Sequence, residues 1–366
     1  MKTKKIIFLS GAVPPQTGGE LYNYKISQYL QEKGQENGIE QTYISLHHYR
    51  HLLRVGRIPI IGDLIVSLIL AIALYPHQGI LVEDHYFSRY LFVTNLIQKF
   101  FSTDEIITII HLFYHYDSGD RWLIRRWINC LIERSRLVLT DIIVTSSEYS
   151  KREIISLGIH PDRVQVIHPG IDREKFAIHH KSIEDSEQKK ILCVANYVPR
   201  KGILYLIEAF AQIEQKDFKL HLVGNPKNNG SYYKKMLKRI NELGIEEDVQ
   251  LHDGADQKQI QYLYSTSDIF VLPSLKETFG IVLIEAMHYR LPIITTTSSA
   301  MPDLVTDGEN GLLVPPKHSQ AIAHALSRLM SQPELRKQMG EQGYQRIEHA
   351  YKWEDTTSKF LSLIHL

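Results

Sequence analysis

Cysteine is scarce: Cys130 and Cys193 are the only two in 366 residues, each inside an apolar run. Two such positions build neither a disulfide framework nor a cysteine-spaced metal site, which fits a reducing cytoplasm. An excess of either charge is missing too, with 42 Lys and Arg against 41 Asp and Glu and a formal net charge of +1. That balance gives no global attraction to nucleic acid, so no nucleic-acid partner is expected and any basic surface has to be local. Long apolar runs are absent. Lys4-Lys5 leads into Ile6-Ile7-Phe8-Leu9, which stops at Ser10-Gly11; it is too short for a secretory signal and reads as a first strand. Leu64 to Tyr75 is uncharged over twelve residues, whereas a membrane span needs about 20, so a buried or interfacial helix is expected there. Neither Gly-x-Gly-x-x-Gly nor a phosphate loop ending in Gly-Lys-Ser/Thr occurs, which disfavours a dehydrogenase and a P-loop nucleotidase.

The length exceeds one ordinary core, and two α/β domains follow as the natural division. Short β-branched runs alternate with longer helical stretches, the pattern of parallel sheets with crossover helices. In the first half, strands are expected near Lys5–Ser10, Thr42–Leu46, Gly79–Glu83, Ile106–Ile110, Ile142–Ser146 and Val164–Ile167. Ser147 caps a helix after the fifth. A polar stretch, residues 171–189, reads as a linker. The alternation then restarts near Lys190–Ala195, Lys219–Val223, Val249–Leu251, Ile269–Leu272 and Ile293–Thr295. The expected architecture is two Rossmann-like domains, residues 1–170 and 190–352, facing across an inter-domain cleft. A C-terminal helix, 353–366, packs back on the first. In such sheets ligands bind beyond the carboxyl ends of the strands.

Three segments carry chemistry. Gly11-Ala12-Val13-Pro14-Pro15-Gln16-Thr17-Gly18-Gly19-Glu20 lies between a strand and a helix, where glycines let the backbone approach an anion and the helix start offers N–H groups. It reads equally as a plain turn. Pro199-Arg200-Lys201-Gly202 puts two cations after a strand, suited to a departing diphosphate, or simply to a solvated basic turn. The strongest is Pro273 to Met287. A helix is expected to begin near Thr278 as its cap, with Glu277 in the loop above the sheet and Glu285 about two turns in. The amides of Phe279, Gly280 and Ile281 would point at a phosphate, and the carboxylates could accept sugar hydroxyls. Glu285 among Leu283, Ile284 and Ala286 needs a partner.

Glu277 and Glu285 reproduce the Glu-x7-Glu signature of the family 4 retaining glycosyltransferases, in its usual Glu-Thr-Phe-Gly setting. The other pieces follow in order: Gly18-Gly19-Glu20 resembles the family's glycine loop, and Pro199-Arg200-Lys201-Gly202 its donor-diphosphate segment. Leu222-Val223-Gly224 and Asp307 to Val314 resemble two further landmarks. The resemblance implies a GT-B fold and sugar transfer with retention from a nucleotide-sugar donor, UDP- or GDP-linked. The acceptor would be a carbohydrate, a lipid-linked molecule or a small molecule. It implies no metal and no other cofactor. By position, Lys201 pairs with the diphosphate, Glu277 holds sugar hydroxyls and Glu285 binds the ribose. The amides of Gly18, Gly19, Phe279 and Gly280, together with Thr278, surround the donor. His111 stands where similar enzymes carry an active-site histidine. Two departures are plain. Ala195-Asn196 replaces the usual Gly-Arg, leaving Arg200 as a substitute cation. Ser299-Ala300-Met301-Pro302-Asp303 replaces Gly-Gly-x-Pro-Glu.

Arg121 to Arg134 mixes Arg, Trp and aliphatics. With Leu64 to Tyr75 it could form a peripheral contact with anionic lipid on the inner face of a membrane, or be two amphipathic helices packed on the sheet. Two other functions share the architecture: a nucleotide-sugar epimerase, and a non-catalytic two-domain binding protein.

Overall fold

A computed structural model of the chain describes residues 4–10, 17–34, 38–45, 67–70, 72, 79–85, 88–101, 105–112, 131, 133–173, 188–214 and 217–365. The chain divides into two compact units. One is Met1–Gly170 with Trp353–Leu366, and the other is Ile171–Lys352.

Each unit is built on a six-stranded parallel sheet. In the first, β1 (Lys4–Ser10), β2 (Ile39–Ser45), β3 (Ile80–Asp84), β4 (Glu105–Ile110), β5 (Ile142–Thr145) and β6 (Val164–Val166) stand in the order β2-β1-β3-β4-β5-β6. In the second, β7 (Lys189–Val194), β8 (Phe218–Gly224), β9 (Val249–Asp253), β10 (Ile269–Leu272), β11 (Ile293–Thr296) and β12 (Gly311–Val314) stand in the order β12-β11-β10-β7-β8-β9. Counted from β7 this is the dinucleotide-fold order, with its reversal between β7 and β10. All eleven strands expected from sequence are present, with ends shifted by a few residues. β12 is additional: Gly311-Leu312-Leu313-Val314 is four residues long and follows directly on the Asp307–Asn310 turn.

The central strands are apolar throughout because helices cover both faces of a parallel sheet. Ile269, Phe270, Val271 and Leu272 are all fully buried, each contributing about 1.5–3 kcal/mol by leaving water. In the first unit, β3 carries the polar pair Glu83-Asp84 at its end, and strand alternation sends them to opposite faces. Asp84 meets Asn23 on the helix Gly18–Gly34, and Glu83 meets Asn95 on the helix Ser88–Phe101. On that second face, Glu83 also accepts from Thr108 at 2.7 Å and pairs with the fully buried Arg136 at 3.4 Å. Burial pushes the Arg136 guanidinium down to about 10 against the pull of Glu83 and Glu133.

Ser147 caps the helix Glu148–Ser156, accepting from the Ser150 amide. The helix Trp353–His365 is tied to the first unit: Lys4 donates to the Ile364 carbonyl at 2.7 Å, and Thr356 to that of His168 at 2.7 Å. Among the described residues no helix is long and apolar enough to cross a membrane.

Candidate functional site

In the second unit the β7–β10 reversal decides what meets. β7 pairs with β10 in register Ile191↔Ile269 and Leu192↔Phe270, so the chain leaves both carboxyl ends side by side. After β7, Pro199–Lys201 forms a single helical turn, closed by Gly202 with a left-handed backbone (φ 68°). A Cβ at Gly202 would lie 2.1 Å from the Pro273 carbonyl oxygen, so only glycine lets the two loops touch. The Leu275 amide then donates to the Arg200 carbonyl at 2.7 Å. From this contact Lys201 donates to the Glu277 carboxylate, and the Arg200 guanidinium lies 3.9 Å from the same oxygen. Lys201 and Glu277 are both buried. Burial lowers the Lys201 ammonium from its ordinary value, opposed by Glu277. Burial also pushes the Glu277 carboxyl up, but Lys201, Arg200 and the Thr278 amide together hold it below the usual carboxylate range. Each partner thus opposes the effect of burial on the other.

The helix after Glu277 departs from expectation. It runs Ile281–His288, and its cap is Gly280 (φ 86°), with no side-chain cap bond. Thr278 is not the cap; its amide points back to Glu277 Oε1 at 3.3 Å. The left-handed turn at Gly280 delays the helix, so Glu285 is its fifth residue, a little over one turn in rather than two. Phe279 packs edge-on against Tyr351, centroids 5.6 Å apart.

Glu285 has the partner that its setting demanded, one that no motif announced. The Tyr264 hydroxyl donates to Glu285 Oε2 at 3.0 Å, and Tyr264 stacks on Tyr289 at 5.5 Å. Burial pushes the Glu285 carboxyl up to about 7 despite this bond. Arg200, Lys201, Glu277, Thr278, Phe279 and Gly280 thus lie along one junction, while Glu285 sits in the helix beyond, held by Tyr264. Of the departures, Ser299 adopts a left-handed backbone (φ 58°), the conformation a glycine would take without strain. Next to it the Ala300 amide donates to the Glu277 carbonyl at 3.1 Å, holding this loop to the site. The Asp307–Val314 landmark is a turn held by Asn310, which bonds Thr306 and Leu304, and it leads into β12.

In the first unit Gly18 and Gly19 open the helix Gly18–Gly34, and Thr17 with Glu20 forms a reciprocal capping box (3.2 and 3.0 Å). Among the described residues the Gly18 and Gly19 amides have no acceptor, as helix starts leave them; residues 11–16 lie outside the described set. His111 follows β4 and packs on Gly19, where an added Cβ would lie 2.8 Å from the ring. Its Nε2 is 2.8 Å from Asn23 Oδ1. Burial pushes His111 down to about 3, with His85 adding to the effect, so the ring is neutral. Most of the segments 64–75 and 121–134 lies outside the described residues. Of those described, Leu68, Ile69, Ile72 and Leu131 are exposed and Glu133 is buried. Among the described residues no three His, Cys, Asp or Glu side chains are grouped to hold a metal.

Two family models match the chain. Glycosyltransferase Family 4 covers residues 81–175, and Glycosyl transferases group 1 covers residues 174–346. The chain is 26% identical over 252 residues to the MMP α-(1→4)-mannosyltransferase of Mycolicibacterium hassiacum, covering 66% of this chain and 59% of that protein. It is 28% identical over 239 residues to the D-inositol 3-phosphate glycosyltransferase of Corynebacterium glutamicum, covering 61% and 56%. The match thus spans less than two thirds of these relatives' own lengths. Among solved structures, the sucrose-phosphate synthase of Thermosynechococcus elongatus superposes with a TM-score of 0.80 at 19% identity, over 99% of this chain and 98% of that one. Anabaena HepE in complex with UDP-glucose gives 0.79 at 18%, over 99% of both chains. At these identities the superpositions show the fold alone.

Proposed function

The chain belongs to the glycosyltransferases of GT-B fold, and from that membership we propose that it transfers a sugar with retention from a UDP- or GDP-sugar to an acceptor hydroxyl in glycoconjugate synthesis. The observation that carries this reading is the Lys201–Glu277 pair, buried where the strand order reverses between β7 and β10. Nucleotides bind at such reversals, and a cation beside a carboxylate is the chemistry a sugar diphosphate requires. Lys201 and Arg200 would stabilise charge growing on the leaving diphosphate. Glu277 would accept from sugar hydroxyls, and Glu285 from the ribose. The bond from the anomeric carbon to the phosphate oxygen breaks with its electron pair on the diphosphate. The acceptor oxygen attacks on the same face, and its proton passes to the departing phosphate oxygen. Within the first unit, which we read as the acceptor side, His111 would meet a substrate hydroxyl, and the Gly18 and Gly19 amides suit an anion. The two relatives described above act, by name, as a mannosyltransferase and on D-inositol 3-phosphate, consistent with a small polyhydroxylated or phosphorylated acceptor here.

The test is transfer from a panel of nucleotide sugars to a panel of acceptors, with anomeric configuration read by NMR. A product with the donor's configuration is expected, and turnover should be unchanged by a chelator because protein cations carry the diphosphate. Sugar conversion without any acceptor would instead favour the epimerase. Exposed Leu68, Ile69 and Ile72 support the finer reading that the first unit touches anionic lipid. No co-sedimentation with anionic vesicles at low salt would end that reading.

A further inference from the structure

The strand reversal of the first unit holds a chain of polar groups that none of the motifs includes. β1 and β3 pair in register Leu9↔Glu83, so Ser10 and Asp84 leave the sheet together. Beside them the helix Gly18–Gly34 turns one face toward His111. Gly19, Tyr22 and Asn23 are three and four residues apart, the spacing that aligns side chains on a helix. Gly19 gives the ring room, and Tyr22 meets it edge-on with centroids 5.2 Å apart. Asn23 binds it at 2.8 Å. Tyr22 is itself fixed, its hydroxyl donating to the Ile167 carbonyl at 3.0 Å.

The direction of the bonds follows from chemistry. Asn23 Nδ2 lies 2.6 Å from Asp84 Oδ2 and 3.1 Å from Ser10 Oγ. A carboxylate only accepts, so the amide must turn its NH2 to Asp84 and its oxygen to the ring. His111 Nε2 must then carry the proton. Among the described residues Nδ1 has no hydrogen bond, and its lone pair is available. Ser10, Asn23 and Asp84 are all buried, so water does not compete for these bonds.

We propose that Asn23 and Asp84 are positioning residues that hold His111 as the Nε2–H tautomer and present its Nδ1 lone pair to a substrate hydroxyl. This rests on the glycosyl-transfer reading for the ligand, although the tautomer itself does not. An amide between carboxylate and imidazole separates this arrangement from a direct carboxylate–histidine pair. It fixes ring and tautomer without placing a negative charge on the ring, so His111 acts as a hydrogen-bond acceptor rather than as a base.

The decisive experiment is long-range 1H–15N correlation on protein labelled at its histidines, with the His111 signals identified by their loss in His111→Gln. The expected spectrum at neutral pH shows one protonated and one bare nitrogen, assigned as Nε2–H. In Asp84→Asn the Asn23 amide can face either way, and a mixture of tautomers is expected. kcat should fall about tenfold, the worth of one hydrogen bond, with KM for the donor unchanged. In Asn23→Asp the negative charge reaches the ring, and the His111 signals should titrate at higher pH. An Nδ1–H tautomer in the wild-type protein, or one unmoved by both substitutions, would overturn the proposal. The spectrum needs no substrate. A fixed tautomer in a chain that transfers no sugar therefore leaves the positioning intact and overturns the functional reading.

Discussion

Both sheets carry a polar cluster where the strand order reverses, and the two clusters treat charge in opposite ways. In residues 171–352 the reversal between β7 and β10 brings together Lys201, Arg200 and Glu277 in an ion-pair cluster, with Lys201 and Glu277 buried against each other. In the first unit the reversal between β1 and β3 brings together Ser10, Asn23 and Asp84, with a neutral His111 beyond them. Ion pairs rearrange when a charged ligand arrives, because a diphosphate can replace the carboxylate at Lys201. In the relay the one carboxylate, Asp84, is held off the ring by the Asn23 amide, so the cluster fixes a geometry and leaves His111 neutral. On the proposed function, this difference would give the leaving group to residues 171–352 and the orientation of a hydroxyl to the first unit.

The sharpest way to break this contrast is Lys201→Ala. Loss of the leaving-group cation should lower kcat/KM by about 10²–10³, measured by steady-state transfer. It also takes from the buried Glu277 its nearest cation and leaves it Arg200 at 3.9 Å, so unfolding free energy should drop by up to about 3 kcal/mol. Adding Glu277→Gln should restore much of that stability and none of the activity. Full turnover in Lys201→Ala would remove the charged half of the comparison.

The first unit has its own buried ion pair, on the far face of β3 from the relay. Arg136→Ala should destabilise the protein by about 3–5 kcal/mol, because it leaves the buried Glu83 without its ionic partner. Denaturant unfolding reads this loss. Donor affinity should not change, and a change would mean that the charged chemistry is not confined to residues 171–352.

A smaller effect tests Glu285. Its carboxyl lies at about 7 against an ordinary 4.5, so the folded state holds a proton that the unfolded state releases. Stability therefore falls as pH rises between those values and is flat above them. Glu285→Gln should remove that fall, so its Tm should gain on the wild type as pH climbs through the window. Equal pH profiles would contradict the assignment. The smallest effect is at Ser299: with φ 58°, Ser299→Gly should add about 0.5–1 kcal/mol by relieving the left-handed backbone.

The fold was legible because parallel strands buried on both faces are written as unbroken apolar runs, such as Ile191-Leu192-Cys193-Val194. β12 escaped because four residues directly after a turn show no period. Glu277 and Lys201 could be read from local motifs. Their meeting could not, because it depends on β7 and β10 being neighbours, 76 residues apart at the contact. Tyr264 was invisible for the same reason, and Asn23 looked like any polar residue of an amphipathic helix. The misplaced cap at Thr278 came from reading propensity alone, since a cap-forming threonine lost to a glycine whose left-handed backbone sets the turn.

The central claim is that residues around Lys201 bind a nucleoside diphosphate sugar. It is tested most directly by thermal shift of wild-type and Lys201→Ala protein against UDP, GDP and their sugars. At a hundredfold excess over Kd a ligand adds about 2.7 kcal/mol, a rise of about 5–10 °C for a domain of this size. One base is expected to give that rise in the wild type and little of it in Lys201→Ala. No shift with any nucleotide, or the same shift in both proteins, would contradict the claim.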